Sequence, residues 1–358
     1  MKEIYGAYAS SLGQRDKPPQ HSITIYYEFV RQVWRDIENF CEFLRSRPKG
    51  DFAPYELYEN PARLPECFNE DEHVRNMFIA AITWVYFHEL SHLLQEHGII
   101  RHEFGPRGDE AMQMTDVHDF EVSHHKPING REALVSHVTE LAADFAATTF
   151  YALVLLRHLR EPSLAPTEER PEGFPGPAFL IVCGAFLVSY RFYGSKPLVP
   201  VVAFERSLPI PLFRRALLLT QLRTCLTWVR IEVEEDYSVN QELLKVLCSK
   251  AVFSTTIYWS SISTQGHKFD DRFMLQSALS TPTIKQYLQP IVAIWDEMLP
   301  RIKERHLFDE PILLMHFTDT FREILSREST QGSIPDVDAT AIPPSPPDAD
   351  SAEAPASS

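Results

Sequence analysis

In the stretch WVYFHELSHLLQEHG, from Trp84 to Gly98, two histidines four apart and one glutamate lie between Trp84 and Leu94, where every other residue is uncharged and most are apolar. His88 and His92 are four residues apart, so on an α-helix both side chains lie on the same face, one turn apart. Glu89 lies about 100° around the helix from His88, so its side chain points away from the face that carries the two histidines. Polar groups in so apolar a helix need partners, because burying them unpaired is unfavourable.

The spacing of the two histidines is that of a metal site. Two neutral imidazoles can bind one ion, and zinc accepts such ligands in tetrahedral geometry. Glu89 is poorly placed to be a ligand, but it can take a proton from a metal-bound water. This division of roles is that of HExxH zinc hydrolases, so we predict His88 and His92 as metal ligands and Glu89 as the catalytic residue. The alternative is a purely structural histidine pair.

A third ligand is expected from HVTELAADFAATTF, residues 137–150. Glu140 and Asp144 lie four apart among apolar neighbours, where acids are unfavourable unless they are paired or bind a metal. One carboxylate can complete a His₂Glu site, and the other can accept a hydrogen bond from a ligand histidine. The alternative is a partly exposed helix with ordinary acids. Six histidines are rival ligands: His97, His102, His118, His124, His125 and His137.

HELSH followed by ELAAD resembles the gluzincin metallopeptidases, in which the third zinc ligand is a glutamate on a later helix. The pattern is most similar to the intracellular phage-exclusion Lit-type and ImmA/IrrE-type peptidases, which carry HExxH and then an E-x-x-A-[DN] helix followed by small apolar residues. The resemblance implies a zincin-like core of two crossing helices that bind one Zn²⁺ per chain. It implies His88, His92 and Glu140 as ligands, Glu89 as catalytic acid and base, and Asp144 as a partner of a ligand histidine.

A later stretch, RSLPIPLFRRALLL at residues 206–219, resembles the proline-rich, arginine-containing segment that follows the zinc helices in such peptidases. It lacks the His-Pro pair of some relatives, so we assign no role to Arg214 or Arg215. The absence of an evident helix-turn-helix pattern disfavours the branch that cleaves repressors.

Composition narrows the class of protein. The chain has 358 residues, 44% of them hydrophobic, and a formal net charge of −15, which disfavours nucleic acid because phosphate binding needs clustered Lys and Arg. Its five scattered cysteines contain no CxxC pair and indicate a reducing compartment.

The first 20 residues lack a signal-peptide core, and the apolar run at 178–188 is shorter than the roughly 20 residues that span a membrane. We therefore expect a cytoplasmic protein that acts on a protein or peptide and binds neither nucleic acid nor membrane.

Hydrophobic spacing predicts a mainly α fold with a small β element near the site. Residues 1–20 are expected to be a flexible N-terminus, 21–200 the zincin-like core with a candidate strand at 21–29, and 201–328 a helical C-terminal part packed on the core. Residues 329–358 form an acidic tail rich in Pro, Ser and Ala that is expected to be disordered. The polar, His-rich segment 99–130 joins the two zinc helices and is expected to cover the cleft. Helices are predicted at 27–45, 72–95 with a stop at Gly98, 131–160, 178–190, 212–234, 241–263, 283–305 and 312–325.

The sequence thus predicts a zinc-dependent intracellular endopeptidase, a hydrolase in which Glu89 acts first as general base and then as general acid. The alternative is a non-catalytic, zinc-stabilised helical protein that serves as a binding or regulatory module, with a loop histidine as the fourth ligand. Glu89 disfavours that alternative, because a structural zinc site has no use for a general base.

Overall fold

The computed structural model describes residues 6–14, 17–46, 63–105, 117–118, 130–159, 175–193, 211–233, 241–262, 282–308 and 311–326. Within these residues the protein is mainly helical with one small antiparallel sheet, so the predicted fold class is confirmed. Strand β1 (Ala7–Gln14) pairs with β2 (Lys17–Ile25), and the two-residue strand β3 (Val117–His118) pairs with the other side of β1.

The helices follow the predicted hydrophobic periods closely. They are α1 (Tyr27–Ser46), α2 (Glu70–Leu94), α3 (His97–Phe104), α4 (Gly130–Leu159), α5 (Pro175–Tyr193), α6 (Pro211–Val233), α7 (Gln241–Ile262), α8 (Pro282–Arg305) and α9 (Asp319–Ser326). The single helix predicted over 312–325 is wrong: a short 3₁₀ turn at Pro311–Leu313 and α9 occupy that segment instead.

Strand β1 lies in the segment that was expected to be a flexible N-terminus. Its inward positions are small, since Ala7 and Ala9 are buried, and this gives a weak hydrophobic alternation in the sequence. The hydroxyl groups of Ser10 and Ser22 form a hydrogen bond of 2.7 Å across the strand pair. The candidate strand at 21–29 ends at Ile25, because α1 begins two residues later.

Helix α2, which carries HELSH, is the central element of the fold. A capping box begins it: the Asn69 side chain accepts from the Glu72 N–H at 3.0 Å, and the Glu72 carboxylate accepts from the Asn69 N–H at 2.8 Å. The helix packs against α4, α5, α1 and both long strands. Its length and apolar composition would suffice to cross a membrane, but 56% of its most apolar window is buried inside the protein, as in a core helix.

Two hydrophobic clusters meet at α4. The first joins α1, α2, α5, α6 and α7 and includes Tyr151 from the C-terminal half of α4. The second joins α3, α8 and α9 and includes Leu141 and Phe145 from the N-terminal half of α4. The clusters therefore do not divide at residue 200, because α6 and α7 pack with the N-terminal helices.

The turn after α2 differs from the expected stop at Gly98. The helix ends at Leu94, and Glu96 adopts the left-handed conformation with φ of 48°. Contacts from the end of α8 hold this turn: the Leu307 N–H donates to the Leu94 carbonyl at 2.8 Å, and Arg305 Nε lies 2.7 Å from a Glu96 carboxylate oxygen. The chain therefore reverses early, and α3 packs back against α4.

The close approach of α5 to α2 depends on Gly184. A Cβ at this position would lie 2.6 Å from the Met77 carbonyl oxygen and 3.0 Å from the Ala80 Cβ. We predict that Gly184→Ala forces the two helices apart at a cost that exceeds the gain of about 1 kcal/mol in helix propensity, for a net loss of up to about 2 kcal/mol of unfolding free energy. Thermal unfolding should show a lower melting temperature. Thr224→Ala, on an exposed position of α6, is the control and should not lower it. A Gly184→Ala protein as stable as the wild type would contradict the close packing.

Candidate metal centre

Three ligand atoms from α2 and α4 converge in the interior. His88, His92 and Glu140 each offer one nitrogen or oxygen, and these atoms all lie within 4.8 Å of one another. Each of the three side chains is at most 1% exposed. The predicted third ligand, Glu140, is therefore the carboxylate that meets the histidine pair, and Glu89 is buried on α2 outside this group.

The separations of the three side chains suit a tetrahedral ion. The two Nε2 atoms lie 3.2 Å apart, and the Glu140 carboxylate oxygens lie 3.4 Å from His88 Nε2 and 3.5 Å from His92 Nε2. Tetrahedral zinc with bonds of about 2.0–2.1 Å separates neighbouring ligand atoms by about 3.3 Å. Glu140 Oε2 is buried and accepts no hydrogen bond within the described ranges, which is unusual for a carboxylate oxygen. The residues present therefore fit a zinc ion.

Asp144 orients the first imidazole. Its Oδ1 lies 3.0 Å from His88 Nδ1, so a hydrogen on Nδ1 would be stabilised by this carboxylate and would leave the Nε2 lone pair for a metal. Arg214 on α6 in turn binds both oxygens of Asp144, with Nη2 at 2.6 Å from Oδ1. The Trp84 ring stacks on His88 at 5.4 Å between centroids. The His88 ring is thus held by a carboxylate at one edge and an indole on one face.

His97 on α3 contacts the second imidazole. The two Nδ1 atoms of His92 and His97 lie 2.9 Å apart, so one must donate and the other must accept. Burial lowers the pKa of both imidazoles well below the ordinary value, so both rings are neutral at pH 7. If His92 donates from Nδ1, its Nε2 lone pair faces His88 and Glu140, which is the tautomer that a metal ligand requires.

Glu140 lies between two guanidinium groups. Arg101 on α3 donates from Nη2 to Oε1 at 2.6 Å, and Arg214 Nη1 lies 3.7 Å from Oε2. Burial raises the pKa of the Glu140 carboxyl, but the positive charge of the Arg101 guanidinium, with which it forms an ion pair, holds that pKa well below its ordinary value. Glu140 is therefore ionised, as a ligand carboxylate must be.

The rival ligands lie elsewhere or outside the described residues. His137 is buried one turn before Glu140, but its Nδ1 lies 2.9 Å from the Tyr287 hydroxyl on α8. His102 is exposed on α3. Only the backbone of His118 is described, and His124 and His125 lie outside the described residues, as does most of the expected covering segment 99–130 and all of the expected tail 329–358.

Sequence reasoning missed three contributors to this site, namely His97, Arg101 and Arg214. His97 was considered only as a rival ligand, and Arg214 was left without a role. The available signal was a run of polar residues just after HELSH and a pair of arginines before an apolar helix. Neither pattern specifies a partner: Arg101 and Arg214 contact residues 38 to 70 positions away, and His97 meets His92 only because the chain turns between α2 and α3.

Comparisons of the chain with protein-family models, with curated proteins and with solved structures found no match. The similarity to gluzincin peptidases accordingly stays a prediction from the two motifs HELSH and ELAAD.

The pair of Asp144 and Arg214 should stabilise the interior. Asp144→Asn leaves a buried guanidinium without its charged partner, which typically costs about 3–5 kcal/mol. Asp296→Asn is a matched control, because Arg322 binds both Asp296 oxygens in the same way but the pair is more than a third exposed; that change should cost about 0–1 kcal/mol. Urea unfolding with a chelator present compares the two without any metal contribution. Equal losses would contradict the buried role of Asp144.

Proposed function

We propose that this protein is a zinc-dependent intracellular endopeptidase. The observation that supports the proposal most directly is the convergence of His88, His92 and Glu140: the two Nε2 atoms lie 3.2 Å apart, His88 Nε2 lies 3.4 Å from Glu140 Oε2, and His92 Nε2 lies 3.5 Å from Glu140 Oε1. Glu89 follows His88 on the same helix. Three protein ligands leave one position of a tetrahedral ion for water, as in catalytic zinc sites. A structural zinc site more often has four protein ligands.

Charge supports a divalent cation at this position. By formal charge, three buried acids, Glu89, Glu140 and Asp144, stand against the two guanidinium groups of Arg101 and Arg214, and burial keeps the His92 imidazole neutral. This formal count leaves an excess of one negative charge in an interior where unbalanced charge is strongly unfavourable. A divalent cation offsets this excess and leaves a positive site that favours a bound hydroxide.

Each residue has a distinct role in the proposed hydrolysis. His88, His92 and Glu140 would hold the zinc, which lowers the pKa of a bound water and polarises a peptide carbonyl. Glu89 takes the proton of the attacking water and then delivers it to the leaving amine. Asp144 and His97 keep the two imidazoles in the tautomer that presents Nε2. Among the described residues, β2 is an edge strand of the sheet that packs on α2, and its outer edge would offer backbone groups for pairing with an extended peptide.

A second candidate function is a structural zinc site in a binding module. The burial of the cluster favours it, because His88, His92 and Glu140 are at most 1% exposed. The described residues supply no fourth ligand, however, since the metal-ligating group contains only three side chains. Both functions require bound zinc, so the Glu89 variant described below, and not zinc content, separates them.

Purified protein should contain about one zinc per chain. His88→Ala and His92→Ala should each abolish stoichiometric zinc, because each removes one of three ligands, and elemental analysis measures this directly. A chelator should lower the melting temperature of the wild type but not that of these variants, since zinc binds the folded state. His137→Ala is the matched control, because it removes a buried histidine from the same region of α4 and should keep zinc. Zinc retained in all three variants would rule out this centre.

Glu89→Gln should separate catalysis from metal binding. The change keeps the size of the side chain and removes the base, so zinc content should equal that of the wild type while turnover falls by at least about 100-fold. Because the substrate is not named by the sequence, cleaved protein termini are compared in cells that express either form. Cleavages seen only with the wild type would support a peptidase. Identical termini at equal zinc content would favour the structural site.

A further inference from the structure

Arg101 is held rigidly at the edge of the candidate metal centre. Its Nε donates to the Thr139 hydroxyl at 2.6 Å, and its Nη2 donates to Glu140 Oε1 at 2.6 Å. The Thr139 hydroxyl donates to the Ser136 carbonyl at 2.9 Å, so its lone pair is directed at Arg101. Two consecutive residues of α4 therefore fix the guanidinium plane, and little side-chain freedom is left to lose when it binds a further group.

Arg101 is also the exposed member of the centre. Its side chain is 22% exposed, whereas those of His88, His92, Glu140, Asp144 and Arg214 are at most 3% exposed. A guanidinium has five N–H groups, and two of those of Arg101 are used. The other three have no acceptor within the described ranges. Among the described residues, Arg101 thus joins solvent to the candidate ligand Glu140.

The two arginines of the centre differ in their remaining capacity. Arg214 is buried and binds both oxygens of Asp144, so its charge is matched by a whole carboxylate. Arg101 contacts a single oxygen of Glu140, a carboxylate that also faces two imidazoles and Arg214. Arg101 therefore has both unused donors and an incompletely matched charge, which are the features of an anion-binding residue.

We infer that Arg101 is the oxyanion donor of the site, a catalytic residue that binds the negative charge developing on the substrate carbonyl. This role rests on the proposed hydrolysis and adds the group that it otherwise lacks. The guanidinium lies beside one of the three ligand side chains, since Nη2 is 2.6 Å from Glu140 Oε1, so a carbonyl oxygen bound on that side of the ligand atoms would be within its reach. Arg101 transfers no proton: it donates hydrogen bonds that strengthen as the oxygen gains charge.

Inorganic phosphate is the probe for this role, because it is a small tetrahedral oxyanion that requires no knowledge of the substrate sequence. Zinc-loaded full-length protein is titrated with phosphate by calorimetry, at constant ionic strength, for the wild type, Arg101→Gln and Arg101→Lys. Arg322→Gln is the matched control, since it removes an exposed arginine that binds Asp296. Zinc content and melting temperature are measured for every form.

All forms should keep about one zinc per chain. Arg101→Gln should bind phosphate at least about tenfold more weakly than the wild type, the usual effect of losing a hydrogen bond from a charged group. Arg101→Lys should fall between the two, because it keeps the charge and loses the fork of donors. Arg322→Gln should match the wild type. On a substrate found from cleaved termini, Arg101→Gln should lower kcat more than it raises KM.

Several outcomes would overturn the inference. Equal phosphate affinity in zinc-loaded wild type and Arg101→Gln, or no phosphate binding by the zinc-loaded wild type, removes the role of Arg101 and leaves the peptidase proposal intact. Loss of zinc in Arg101→Gln would show that Arg101 only supports Glu140 as a ligand. A wild-type chain that binds no zinc overturns both proposals together, and metal analysis identifies this case before any titration.

Discussion

The contact of the Glu140 carboxylate with two imidazoles on another helix is the constraint on which the rest of the structure depends. Glu140 on α4 lies within 3.5 Å of the Nε2 atoms of His88 and His92 on α2, in an interior almost closed to solvent. A carboxylate is stable there only if its charge is matched. The packing of α2 on α4 is therefore specified by polar groups as well as by the hydrophobic clusters on either side.

The groups that match this charge come from elements distant in sequence. Arg101 reaches Glu140 because the chain reverses at Glu96 and α3 packs back against α4. Contacts from the end of α8 hold this turn in place. Arg214 arrives from α6, which packs along α4 and fixes Asp144 behind His88. Each arginine thus links a separate part of the fold to the site. Because helices of the C-terminal half supply Arg214 and the contacts at the turn, that half is not an independent unit.

The two arginines of the site, Arg214 and Arg101, differ in burial and in the carboxylates that they contact. The buried one matches Asp144 and keeps the His88 ring in its tautomer, and a guanidinium suits that task because its fork binds both carboxylate oxygens. The partly exposed one, Arg101, contacts a single oxygen of Glu140, and three of its N–H groups have no acceptor among the described residues. This difference in burial underlies the different role that we propose for Arg101, since a buried guanidinium needs a full complement of acceptors and a partly exposed one can exchange water for an anion.

The sequence by itself determined the helical fold, the positions of most helices and the residues that meet at the centre. The apolar periods of α2 and α4 are long and uninterrupted, and the spacing of four residues puts His88 with His92 and Glu140 with Asp144 on single faces. Only the tertiary structure decided that β1 forms on small alanines, that α2 ends at Leu94, and that His97, Arg101 and Arg214 surround the site. The physical reason is the separation in sequence of the residues involved. The face of a helix depends on residues within one turn of each other, whereas the partner of a buried charge depends on which other elements pack beside it.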